Sequence, residues 1–273
     1  MLSNLKLIFV HGVNEQTTNY SQELYLKILS AARRQLRFQG LEEAAIDEIL
    51  QRLVHHEVLY ADLTTALVDR YMQLQYYQKP RMFWDFITKP IDPLAIQIMQ
   101  YIKDKGDRST GRMNILREFD SDMQRIFDYE DIGKDPLSKE GNNALIVAHS
   151  LGSVVAFDYV MCFRNECRLR KDITIKSFIT MGSPIPMFTS AMGHPDSDIM
   201  LPPNVHKWVN IISPQDGIAR YMKRYFKKIP MEEHQVYTGF FPFKAHTAYW
   251  QNDSTALLIA KEALAALGYP LAK

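Results

Sequence analysis

The chain has 273 residues, 47% hydrophobic and 11% aromatic, with 32 basic residues against 31 acidic ones for a formal net charge of +1. A chain of this length hides about three quarters of its unfolded surface, enough for one large core. The near-zero net charge excludes bulk attraction to nucleic acid, so any basic patch must be local.

The first strong element is Leu5 to Val10, a β-branched and aromatic run read as a buried strand and broken by His11-Gly12-Val13-Asn14. Residues 19 to 38 carry apolar side chains at helical spacing through Tyr20, Leu24, Ile28, Ala31 and Leu36, and a second amphipathic helix is expected over Leu41 to Leu53. His56 to Tyr60 reads as a short strand. His55-His56-Glu57 invites a metal reading, but adjacent side chains of a strand point to opposite faces, so the two histidines would not converge.

Residues 62 to 132 show no convincing strand. Helix-length segments run over Leu63 to Tyr77, Met82 to Ile87 with Leu94 to Ile102, and Met113 to Phe127, broken at Pro80, Pro90, Pro93 and Gly106 to Gly111. This excursion is too long for a plain crossover, and Gly133 to Gly141 then returns the chain as a polar turn.

The central stretch follows. Ala144 to Ala148 is a short apolar run that ends abruptly in Ala148-His149-Ser150-Leu151-Gly152, after which Val154, Val155, Phe157 and Val160 resume at helical spacing. That is a buried strand, a sharp turn and a helix with a serine at the apex. Small Ala148 and Gly152 suit so tight a turn, and the helix N-terminus beneath the hydroxyl favours developing negative charge. Further strands are expected at Ile173 to Met181, closed by Gly182-Ser183-Pro184, at His206 to Ile212, closed by Ser213 to Gly217, and at Gln235 to Gly239. A closing helix spans Ser254 to Leu267, capped near Asp253 or Ser254 and ended at Gly268.

Strands alternating with helices imply a parallel sheet, whose reactive groups gather beyond the carboxyl ends of the strands. His11, Gly12, Ser150, Asp216 and His246 all fall there. Serine near neutral pH needs a base, and the base needs a partner that fixes its tautomer. Ser150, Asp216 and His246 fill those roles in the chain order Ser, Asp, His. His246 is preferred among eight histidines because the base should follow the last strand, whereas His206 is expected within a strand and His234 at the start of one. Asp216 follows its strand by a short turn; Asp196 and Asp198 lie in mid-loop. Oxyanion donors would be the N–H groups of Leu151 and Val13, with His11, Gly12 and His149 lining the substrate side.

The chain resembles the α/β-hydrolase superfamily, and within it serine esterases and lipases that open with Phe9-Val10-His11-Gly12 and lack the first two strands of the full fold. The resemblance covers residues 5 to 60 and 143 to 267 and rests on His11-Gly12, Ala148 to Gly152, Gly182-Ser183-Pro184, Asn210 to Asp216 and His246 to Trp250. Ala148 stands where the pattern usually has glycine, adding a methyl where strand and helix approach. The resemblance implies one α/β-hydrolase domain with a mostly parallel sheet of about six strands, a cap or lid at residues 62 to 132, no cofactor and no metal. It implies hydrolysis of a carboxylic ester through an acyl-enzyme. The alternatives are acyl transfer or thioester cleavage by the same residues, and a catalytically silent fold binding a lipid or protein partner.

The expected partner is a small-molecule or lipid ester. The apolar side chains of the excursion read as helices packed on the core, or else as the wall of an acyl-chain pocket or a peripheral membrane contact, and Arg220, Lys223, Arg224, Lys227 and Lys228 read either as an attractor of an anionic head group or acidic substrate or as a solvated basic helix face. Cys162 and Cys167 are too few for a disulfide framework and lack partners at zinc spacing, so they read as small buried hydrophobes. No apolar run reaches membrane-spanning length and Met1 to Val10 is too short for a secretory signal, which makes the cytoplasm the expected location.

Overall fold

The computed structural model describes residues 3–12, 18–59, 111–128, 142–162, 173–191 and 199–270. The elements in order are β1 (Leu5–Val10), α1 (Gln22–Phe38), α2 (Glu43–Gln51), β2 (Leu53–Val58), α3 (Gly111–Asp128), β3 (Asn142–His149), α4 (Leu151–Phe157), β4 (Ile173–Met181), α5 (Ile185–Ala191), β5 (Trp208–Ile212), β6 (Met231–Gln235), α6 (Pro242–Thr247) and α7 (Asp253–Ala266). One turn of π-helix, Asp158–Cys162, extends α4, and a 3₁₀ turn, Ala248–Gln251, joins α6 to α7.

The six strands form one sheet in the order β2-β1-β3-β4-β5-β6, and every neighbouring pair is parallel. The inner strands β1, β3, β4 and β5 are buried on both sides because both faces are covered, the usual condition of parallel sheets. Alternation divides β1: Leu5, Leu7 and Phe9 join the core under α1, α2 and α7, while Ile8 and Val10 join the core under α3 and α4. This is the parallel sheet of about six strands flanked by helices that the sequence resemblance implied.

Several boundaries differ from expectation. β2 begins at Leu53 rather than His56, because Leu53 is buried and pairs with Leu5, so the apolar tail of the second helix pattern is already strand. β6 is Met231–Gln235 rather than Gln235 to Gly239; at the end of the sheet a strand needs only Met231 inside, and Glu232, Glu233 and His234 carry no apolar signal. His206 precedes β5 and donates its backbone N–H to Ile175, and His234 lies within β6. The cap of α7 is Asn252, whose side-chain oxygen accepts the N–H of Thr255 at 2.9 Å. Residues 218–229 form turns and no helix, pinned to the core by Met222, Phe226 and Ile229.

Of the expected excursion over residues 62 to 132, the described residues hold α3, which matches the helix expected over Met113 to Phe127. α3 packs Leu116, Phe119, Met123 and Phe127 on the sheet core, Asp122 accepts the N–H of Leu59 at 3.0 Å, and Arg112 pairs with the buried Asp158 at 2.8 Å. The helices expected between Leu63 and Ile102, the turn Gly133 to Gly141, Cys167, Asp196 and Asp198 lie outside the described residues.

Candidate active site

Ser150 sits at the carboxyl end of the central strand β3, between β1 and β4, with φ +53° and ψ −130°. Only one other described non-glycine residue, Asn19, has positive φ. An L-residue adopts this conformation at a cost of about 1–3 kcal/mol and needs its surroundings to hold it. Here the N–H of Ser150 bonds the Met181 carbonyl at 3.2 Å, its own carbonyl accepts the Ser153 N–H at 3.0 Å, and the Ser153 hydroxyl bridges that carbonyl and the Ser183 hydroxyl.

Close packing explains the neighbouring glycines. A Cβ on Gly152 would stand 1.9 Å from the His11 carbonyl oxygen, so α4 can start against the end of β1 only with glycine there. A Cβ on Gly12 would stand 2.7 Å from the Ser150 Cβ and 3.3 Å from its Oγ; the absent side chain leaves the Ser150 hydroxyl room. Gly182, at φ +59°, faces Tyr249, Asp216 and His149 at once, with an added Cβ 2.8 Å from the Tyr249 ring.

Parallel strand order brings the remaining groups to the same rim. His246 lies on α6, beyond β6, and its Nε2 is 2.8 Å from Ser150 Oγ. Its Nδ1 lies 2.9 Å from Asp216 Oδ2 and 3.0 Å from Oδ1. Asp216 follows β5 by a turn, and its Oδ1 also accepts the N–H groups of Ile218 at 2.8 Å and Ala219 at 3.1 Å. Burial alone would raise the Asp216 carboxyl, but the hydrogen bond and charge of His246 and the two backbone N–H groups outweigh it and hold the group below its ordinary range. All three side chains are buried in residues at most 6% exposed. The row can therefore pass a proton from hydroxyl to imidazole while a carboxylate fixes the Nδ1–H tautomer.

Tyr249 was not legible as part of this row. Fully buried in the 3₁₀ turn, it donates its hydroxyl to Asp216 Oδ2 at 3.0 Å and accepts the Ser213 N–H at 2.8 Å. Burial, reinforced by the Asp216 charge, pushes its phenol far up, so it remains a donor. Tyr249→Phe leaves a carboxylate oxygen short of a donor and a buried N–H without its acceptor. Unfolding free energy should fall by about 1–3 kcal/mol, and any ester kcat by about tenfold at unchanged KM, equivalent to ~1.4 kcal/mol; denaturant titration and steady-state kinetics check both.

The two histidines expected on the substrate side are buried. His11 places Nδ1 2.7 Å from the Gly12 carbonyl and its ring edge-on to Tyr20. His149 lies behind the row, its Nε2–H donating to the His246 carbonyl at 2.7 Å, its ring 4.8 Å from that of His246 and edge-on to Trp250. Burial, with the nearby His246, lowers His149 to about 3. The unfolded chain binds a proton at this residue below about pH 6.5 while the folded chain does not until about pH 3, so stability falls as pH drops through that window, by at most about 1.4 kcal/mol per pH unit. His149→Gln should flatten this part of a Tm-against-pH curve; an unchanged slope would show that another group carries it.

Leu151, the first residue of α4, has an N–H with no acceptor within its helix. Val13 lies outside the described residues. Among the described residues no cluster of three His, Cys, Asp or Glu could hold a metal, and His55 is instead bonded to Ser21, with Nε2 2.7 Å from its Oγ. No described helix is long and apolar enough to cross a membrane.

No family model and no curated protein matches the chain. Solved structures similar to it include a cutinase-like protein from Cryptococcus sp., at TM-score 0.46 and 9% identity over 98% of this chain and 96% of the other. SOBER1 from Arabidopsis thaliana gives 0.47 and 11% over 97% and 99%. Dienelactone hydrolase from Anabaena variabilis ATCC 29413 gives 0.43 and 10% over 99% and 88%. At such scores the chemistry of this chain has to be read from its own residues.

Proposed function

We propose that this α/β-hydrolase-fold chain is a serine hydrolase that cleaves carboxylic esters. One observation carries the reading: Ser150 Oγ, both ring nitrogens of His246 and the Asp216 carboxylate form a continuous row with spacings of 2.8 and 2.9 Å, the serine held at a strained apex. In this reading His246 Nε2 takes the Ser150 proton as Oγ attacks the ester carbonyl. The Asp216 carboxylate stabilises the resulting imidazolium, and Tyr249 holds that carboxylate in place.

The oxyanion of the tetrahedral intermediate is met by the Leu151 N–H, and the Val13 N–H is the second donor by its place in sequence after Gly12. Collapse of the intermediate breaks the C–O bond, the alcohol leaving with the proton from His246 Nε2. Water, deprotonated by the same nitrogen, then releases the acid from the acyl-Ser150 ester. His11 and His149, both buried, shape the floor and back of the site. A series of p-nitrophenyl esters of increasing acyl length tests the proposal: saturable turnover of at least one member supports it, and no turnover of any by the folded protein contradicts it.

A further inference from the structure

β5 and β6 are parallel, so the chain must return from the carboxyl end of β5, where Asp216 sits, to the amino end of β6. Residues 218–229 make that return as turns, and a cleft opens beside them at the amino ends of both strands, away from the carboxyl rim that carries Ser150 and His246. The cleft encloses about 760 Å³, within the range of about 300–1,000 Å³ usual for small-molecule sites. Its apolar lining is Phe226, Ile229 and Met231, all buried.

The rest of the lining is cationic. Lys207, Lys223, Lys227, Lys228 and His206 face one carboxylate, Glu232. That carboxylate is already matched: it pairs with Lys207 at 3.0 Å and lies 3.3 Å from His234 Nε2, while Lys207 is shared with Glu262 at 2.7 Å. Among the described residues no carboxylate pairs with the ammonium groups of Lys223, Lys227 or Lys228. Lys223 to Lys228 carries +4 in six residues of a chain whose net charge is +1, so positive charge is concentrated here.

The cations are held from the inside. Phe226 packs on Trp208 and Phe157 with ring centroids 5.2 and 5.8 Å away, its N–H donates to the Met222 carbonyl at 2.8 Å, and the Ile229 N–H donates to the Phe226 carbonyl at 3.2 Å. The lysine stems therefore start from a fixed backbone. Like charges gathered this way without a counter-charge leave a potential that a compact multivalent anion satisfies.

We propose that this cleft is a second binding site, separate from the Ser150 row, for a small molecule bearing two or more phosphoryl groups. A phosphoryl group carries about −1.5 to −2 at neutral pH and offers three strong acceptor oxygens. Ammonium groups on flexible stems can converge on such oxygens from several sides, whereas a single carboxylate would leave two of the three unpaired lysines unmatched. The charge is confined to one cleft and does not form the extended basic stripe that a nucleic-acid backbone requires. The site does not depend on the reading of Ser150.

The test is calorimetric titration of the full chain with inorganic triphosphate, with sulfate at matched ionic strength, and with phosphatidylserine vesicles. The native protein is expected to bind triphosphate saturably at one site, more tightly than sulfate and less tightly as salt rises. Lys227→Gln with Lys228→Gln should weaken that binding by about tenfold or more, while Lys244→Gln with Lys261→Gln, which removes the same charge elsewhere, should leave it within about twofold. Because all four lysines are exposed, each pair should keep the native Tm. Absence of saturable triphosphate binding, equal affinity for sulfate, equal losses in the two pairs, or binding to the vesicles alone would overturn the proposal.

Discussion

Ser150→Ala should lower kcat on any ester that the native protein turns over by about 10⁴- to 10⁶-fold, down to what binding and oxyanion donors supply alone. The prediction follows from the position of Oγ, 2.8 Å from His246 Nε2 and at the only strained non-glycine residue described at a strand end on this rim. Alanine keeps the backbone contacts that hold the apex, since those use the N–H and carbonyl of residue 150. It loses one side-chain hydrogen bond, so Tm should move by only a few degrees. Steady-state rates and a thermal melt on the same preparation separate chemistry from folding. A variant of native Tm that retained more than about a tenth of the native kcat would remove Ser150 as nucleophile.

Asp216→Asn should cost about 10⁴-fold in kcat, for a different reason. The Ile218 and Ala219 N–H groups both point at Oδ1, so the amide oxygen of asparagine is drawn to that position and its NH₂ group to the other. That NH₂ would face His246 Nδ1, which must then accept. The imidazole is driven into the Nε2–H tautomer, which cannot take the serine proton. The Tyr249 hydroxyl, already accepting from Ser213, meets a donor where it had a carboxylate. Loss in kcat with little change in KM is the expected pattern, and a raised KM at native kcat would assign Asp216 to substrate binding instead.

Much of this arrangement was legible because local pattern and tertiary place agree. Leu5–Val10, Ile173–Met181 and the apolar run before Ser150 are strands buried on both faces, so composition alone marks them. The Ser150 turn shows itself through small neighbours, and the geometry gives the reason: an added methyl at Gly152 collides with the backbone of β1. The order Ser150, Asp216, His246 constrained the choice because each follows a different strand of one parallel sheet.

What was not legible depends on neighbours distant in sequence. β6 lies at the end of the sheet and is written in Glu, Glu and His, residues that carry no strand signal without knowledge of β5 beside them. Tyr249 reads as one more aromatic until the turn after α6 swings its hydroxyl onto Asp216, and Gly182 reads as an ordinary strand end until three side chains are seen to converge on it. The Arg- and Lys-rich stretch 218–229 reads equally as an anion-attracting patch or a basic helix face, yet Met222, Phe226 and Ile229 tie it to the core as turns.

The most direct measurement is covalent. Incubation of the folded protein with a fluorophosphonate, followed by peptide mass mapping, should give a single phosphonylated residue, Ser150, with labelling abolished by Ser150→Ala and strongly slowed by His246→Ala. Adduct formation at another residue, or labelling of Ser150 at an unchanged rate when His246 is absent, would contradict proton transfer between that hydroxyl and that imidazole.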